Sequence, residues 1–149
     1  FIQAEDLGIA IVKFKNGSYG IIEGTTNVYP KNLEETLYLF GQKGTVKAGG
    51  KSVNIIEEWN FADSDEDVNF VKENYSEMPK NVYGFGHTPL YKNVIEAINT
   101  GTKPLVDAEA GRRALEMVLA IYKSAAEGHP VKLPLTECST MDFVGRFNK

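Results

Sequence analysis

Cysteine is nearly absent: Cys138 stands alone among 149 residues. One thiol excludes an internal disulfide and a cysteine-cluster metal site, and it suits a reducing, cytoplasmic setting. Histidine is almost as scarce, with His87 and His129 far apart in the chain. No apolar run approaches the roughly 20 residues of a membrane helix. The net charge of −4 excludes a general nucleic-acid or membrane-surface binder, which needs a basic patch. Catalytic signatures are missing as well: there is no Walker loop, no GxSxG and no HExxH. GFGHTP at 84–89 shows two glycines of a dinucleotide fingerprint, but Pro89 stands where the third belongs. DSDED at 63–67 fails as a calcium loop, because Val68 holds the sixth position and Asn74 the twelfth. A solvated acidic loop or short surface helix is expected there, and no metal site.

The chain opens on Phe1 without an initiator Met, a basic leader or an apolar signal run. A piece of a longer protein is therefore expected. Its length suits one ordinary domain, residues 1–149.

What is present divides into strands and then helices. Strands are expected at about 7–15 and 18–28, joined at Asn16-Gly17, a pair that tolerates the left-handed backbone of a tight hairpin. ETLYLFG (Glu35 to Gly41) leads through Gln42-Lys43-Gly44 into TVKA (Thr45 to Ala48), a second hairpin, and SVNIIEEWNF (Ser52 to Phe61) follows. By sequence order these four or five strands form an antiparallel meander over about 1–61, followed by an acidic loop at 62–86. Helices are expected within 88–127. Thr88 is the expected N-cap of the first, with Pro89 at its first position and Gly101 as its stop. Asp107 caps the second, and Gly128 closes it. VKLPL (Val131 to Leu135) is expected as a short edge strand in a tail over 131–149. The fold class is α+β: an open antiparallel sheet with two main helices packed on one face.

Alternation in the strands is imperfect. Gly8, Ala10, Val12 and Phe14 oppose Ile9, Ile11 and Lys13; Thr36, Tyr38 and Phe40 oppose Leu37 and Leu39. A sheet with one wet face alternates cleanly. Here one face suits the chain's own helices, and the other asks for a second domain or subunit.

Three features could serve a site. His87 precedes a helix N-terminus, where amide groups and the dipole favour anions, and a neutral imidazole there can hydrogen-bond a substrate hydroxyl. Tyr83, Phe85 and Tyr91 could line a sugar-binding surface or pack in a core or interface. Arg112-Arg113 could bind a phosphate or carboxylate, with a salt-bridged helix face as the plainer reading. His129, between Gly128 and Pro130, reads as an exposed loop histidine.

The order of these features resembles the C-terminal domain of the glucose–fructose oxidoreductase/inositol dehydrogenase (Gfo/Idh/MocA) family. The resemblance rests on the Asp6, Ala10, Phe14, Asn16, Gly17 hairpin and on the segment from Phe40 to Thr45. It continues in the run from Ala97 to Pro104 and in AIYKSAAEG, Ala120 to Gly128. It implies an NAD(P)-dependent oxidoreductase acting on sugars, cyclitols or their derivatives, as dimer or tetramer through the open sheet. It also implies that an N-terminal Rossmann domain, absent here, carries NAD or NADP and the acid–base lysine. The family's catalytic histidine usually lies before the first hairpin, so that role does not pass to His87. Catalytic and cofactor-binding residues are accordingly expected outside these residues, which alone should bind no cofactor and turn nothing over. The GH-x-x-x-Y pattern resembles members acting on nucleotide-linked sugars, which makes His87, Tyr91 and Tyr83 candidates for the substrate pocket. A non-enzymatic binding or assembly module, or a redox-dead scaffold, stands as the alternative.

Overall fold

The computed structural model describes residues 5–77 and 84–147. They contain five strands, β1 (Leu7–Lys13), β2 (Tyr19–Thr25), β3 (Leu37–Phe40), β4 (Gly44–Gly49) and β5 (Ile55–Phe61), and three helices, α1 (Val68–Tyr75), α2 (His87–Thr100) and α3 (Ala108–Glu127). A 3₁₀ turn at Thr140–Phe143 follows. Strands precede helices, so the fold is α+β. The chain divides into two units: residues 1–27 with 104–149, and residues 28–103.

In the first unit β1 and β2 pair antiparallel, with Ala10 opposite Ile22 and Ile11 opposite Ile21. Gly17 closes the hairpin at φ +90 and donates to the Phe14 carbonyl at 3.0 Å, as the Asn-Gly pair requires. One face carries Leu7, Ile9 and Ile11 beside Tyr19 and Ile21, and Lys13 Nζ lies 5.7 Å above the Tyr19 ring. Ile11 and Ile21 are 73% and 75% exposed. On the opposite face Ala10 and Val12 are half-buried. The same unit holds α3, opened by Asp107, whose carboxylate accepts from the Ala110 amide at 2.8 Å. Gly128 ends it in the left-handed region. Ala120 and Glu116 are buried on α3.

In the second unit β3, β4 and β5 form an antiparallel ladder in that order. A β-bulge at Lys47/Ala48 lets Glu57 reach the Lys47 ammonium. α1 lies against β5 and buries Val71. Asp67 caps it, accepting from Asn69 at 2.9 Å, so part of the acidic stretch is a short surface helix. α2 ends at Gly101 (φ 67, ψ 21) and buries Ala97. No helix of the described residues is long and apolar enough to cross a membrane.

Three expectations change. The strands form two ladders, β1-β2 and β3-β4-β5, instead of one continuous meander. Residues 26–36 lie between β2 and β3, too many for a hairpin turn, and they include Pro30, which has no N–H to extend a ladder. Thr88 is not the cap of α2: Gly86 takes that position and His87 is the first helical residue. Pro89 then stands third, still inside the first turn, where its missing N–H leaves no helical bond unmade. Residues 131–135 form no strand. Pro130 and Pro134 remove donors from the segment, and the Leu135 amide is taken by the Glu116 carboxylate at 2.5 Å.

Gly44 is held by packing. A Cβ there would collide with the Phe61 ring and stand 2.8 Å from the Asn60 carbonyl oxygen, whereas one on Gly8 meets nothing within 4 Å. Gly44→Ala is expected to lower stability by about 1–3 kcal/mol through overpacking. Gly8→Ala should be neutral or stabilising by up to about 1 kcal/mol. Urea unfolding midpoints of the two variants check the contrast.

Candidate functional site

Two of the candidate pocket residues, His87 and Tyr91, lie at the start of α2. His87 is its first residue and Tyr91 follows at i+4, so both lie on one side of the helix, roughly 6 Å apart along the axis. Tyr91 is 64% exposed, and His87 is exposed as well. Tyr83 lies outside the described residues. Phe85, also exposed, lies two residues before His87. Gly86 supplies no side-chain cap, in contrast to Asp67 on α1 and Asp107 on α3. The first helical bond of α2 runs from the Leu90 amide to the Gly86 carbonyl at 3.3 Å. An imidazole and a phenol, each able to donate and accept, therefore stand one turn apart at the positive end of a helix. Hydroxyl-rich or anionic molecules match that chemistry.

The other candidates resolve into structural roles. Arg112 faces Glu116 at 3.7 Å and Arg113 faces Glu109 at 3.9 Å, both as i,i+4 pairs. His129 is exposed, with Nε2 3.4 Å from Glu127 and Nδ1 3.2 Å from the Pro130 carbonyl oxygen. No group of three or more metal-ligating side chains occurs among the described residues. A recess beside β5, lined by Trp59, Phe61, Ser64, Glu66 and Val68, measures about 130 Å³. Pockets for drug-sized ligands run to about 300–1,000 Å³, so this recess is too small for a whole sugar nucleotide. Glu66 is occupied in accepting the Trp59 indole N–H at 2.9 Å.

Two arrangements escape the sequence. On the second unit's sheet, Lys47 lies 5.4 Å above the Tyr38 ring while pairing with Glu57. The Glu57 carboxylate is the main cause that raises the Lys47 ammonium above its ordinary range. On the first unit, the Tyr122 hydroxyl donates to Glu5, and the Tyr122 ring packs on Phe143 and Phe147 at 5.7 and 5.6 Å. Glu5 and Tyr122 are too distant in sequence for any periodicity to couple them, whereas Tyr38 and Lys47 face each other through the hairpin register and Glu57 reaches Lys47 through the bulge. Glu116 had a local signal: a lone acid among Leu115, Met117, Leu119 and Ala120 on an apolar helix is rarely buried without a partner.

The order of strands and then helices places the chain among α+β domains. Residues 2–133 match the family model described as the oxidoreductase family, C-terminal alpha/beta domain, and the chain belongs to that Gfo/Idh/MocA family. Among solved structures it is similar to the WlbA dehydrogenase from Bordetella pertussis in complex with NADH and UDP-GlcNAcA, with 38% identity and a TM-score of 0.81. It is also similar to the WlbA dehydrogenase from Chromobacterium violaceum in complex with the same two molecules, with 36% identity and a TM-score of 0.77. The chain is covered to 91% in both comparisons, and spans 39% and 37% of those proteins' own lengths. No curated protein matches it by sequence.

The Glu5–Tyr122 bond has a pH signature. Tyr122 donates to the ionised carboxylate and holds Glu5 below the usual carboxylate range. The same bond is the main cause that holds Tyr122 above its ordinary value of 10.0. The Glu5 contribution is complete above its ordinary value of 4.5 and is lost as pH falls through the lower folded value. The Tyr122 contribution is complete below 10.0 and is lost as pH rises through the higher folded value. Tyr122→Phe should therefore flatten both limbs of a thermal stability profile; an unchanged profile would show that the bond does not couple to folding.

Proposed function

We propose that this chain is the substrate-binding and assembly half of an NAD- or NADP-dependent oxidoreductase acting on a nucleotide-linked sugar. In the full-length protein a hydride passes between the nicotinamide and a sugar-type hydroxyl or carbonyl carbon. The observation that carries this reading is the 38% identity across 91% of the chain to a dehydrogenase held in complex with NADH and UDP-GlcNAcA. His87 and Tyr91 form part of the pocket wall, hydrogen-bonding substrate hydroxyls or anionic groups at the start of α2. They position substrate; proton transfer falls to residues of the N-terminal half.

The chain's own residues do not fit a nicotinamide cofactor. Its nearest approach to a dinucleotide fingerprint is GFGHTP, where Gly86 is the cap of α2 and Pro89 lies in its first turn. The third glycine that permits close helix–strand packing is missing. Cofactor binding is therefore assigned to a preceding Rossmann domain. The open apolar faces support assembly into a dimer or tetramer, and the near-absence of cysteine supports a cytoplasmic location.

The test is nicotinamide turnover by the full-length protein with UDP-linked sugar acids. His87→Ala and Tyr91→Phe should each lower kcat/KM by about 3- to 100-fold, the span from one lost hydrogen bond to a neutral partner to one to a charged partner. NADH affinity should stay unchanged, and residues 1–149 alone should turn nothing over. Full activity in both variants would remove these side chains from the pocket. Absence of any nicotinamide turnover across such substrates would favour a scaffold.

A further inference from the structure

The segment after Pro134 lies beyond the span of residues 2–133 that matches the family model. It is nevertheless a built structure. Ser139 and Asp142 form a reciprocal capping box: the Ser139 amide donates to Asp142 at 2.9 Å, and Ser139 Oγ accepts from Met141 at 3.2 Å. That box starts the turn Thr140–Phe143 and presents Phe143 to Tyr122, the rings stacked at 24°. Gly145 then takes φ +75 and the Arg146 amide donates to the Phe143 carbonyl at 3.0 Å. The reversal brings Phe147 onto the same Tyr122 ring. Phe143 and Phe147 are half-buried in a chain whose aromatic side chains are mostly exposed. The far end of that ring carries the hydroxyl bonded to Glu5, two residues before β1.

We propose that residues 139–147 are a C-terminal strap whose two phenylalanines lock the Tyr122 side chain onto Glu5, so that the docked tail fastens α3 to the chain entering β1. The physical basis is rotamer restriction. A half-buried tyrosine with a single polar contact at its tip has several staggered options. Two rings packed on it leave one, and the hydroxyl then meets Glu5 without a further loss of freedom. Tyr122 is a positioning residue: the strap acts on Glu5 only through it. The Leu135–Glu116 bond anchors the start of the same segment to α3, so the tail is tied at both ends.

A double-mutant cycle read by hydrogen exchange tests this on the full chain. Exchange is followed at the last two turns of α3 and at Leu7–Gly8. Tyr122→Phe, Phe143→Ala with Phe147→Ala, and removal of residues after Cys138 should each speed exchange at both places by about tenfold, the scale of an aromatic pair or one such hydrogen bond. Tyr122→Phe placed on either tail variant should add less than about twofold. Gly145→Ala, which strains only the reversal, should act like the loss of Phe147. The two-phenylalanine and Gly145 variants keep the chain length, so a truncated chain that fails to fold leaves the test intact. Additive effects of Tyr122→Phe and the tail variants would overturn the proposal. So would tail variants that speed exchange in α3 but leave Leu7–Gly8 unchanged.

Discussion

A strand that is apolar on both faces leaves one of them exposed when a single layer covers the other, and this constraint shapes the rest of the molecule. On β1, Ile9 and Ile11 point one way and Ala10 and Val12 the other; on β3, Tyr38 and Phe40 oppose Leu37 and Leu39. Phe40 is 79% exposed. Burying one such side chain is favourable by roughly 1.5–3 kcal/mol. Among the described residues, the buried apolar side chains are Val71, Ala97 and Ala120. The frame is thus made locally, by hairpins and caps, and large apolar side chains of the strands remain exposed.

The local devices explain why such a frame holds its shape. Each hairpin is closed by a short turn with a glycine at or beside it, and α1 and α3 are each opened by an aspartate cap. α2 differs. Its cap, Gly86, makes no side-chain bond to the first turn, and His87 and Tyr91 are exposed. In the reading proposed here that difference serves recognition: α1 and α3 each have an aspartate cap at their positive end, whereas α2 has no carboxylate of its own at the cap position.

Much of the fold was legible because its signals are local. Asn16-Gly17, Gly101, Asp107 and Gly128 each placed an end or a turn within a few residues, since each acts through its own backbone geometry or cap bond. Thr88 failed because Gly86, two residues earlier, also tolerates the cap position, and the helix starts from it. The edge strand at 131–135 failed because its pattern was apolar while its prolines had removed the donors a ladder needs. The split into two ladders depends on which strands meet, a non-local outcome that alternation alone does not decide. Of the candidate site, His87 and Tyr91 were visible through the GH-x-x-x-Y pattern, but His87 was expected just before the helix and only the fold makes it the first residue of α2, whereas Glu5, Tyr122, Phe143 and Phe147 meet only once the chain has folded.

Sedimentation of the 149-residue chain at micromolar concentration tests most directly whether the open ladder faces are built for a partner of the same kind. The expected result is a dimer or tetramer, converted to monomer by Ile11→Lys with Ile21→Lys, a cross-strand pair that would place two charges in the centre of the apolar face. A monomer without any substitution, at the same concentration, would contradict self-assembly through the sheet.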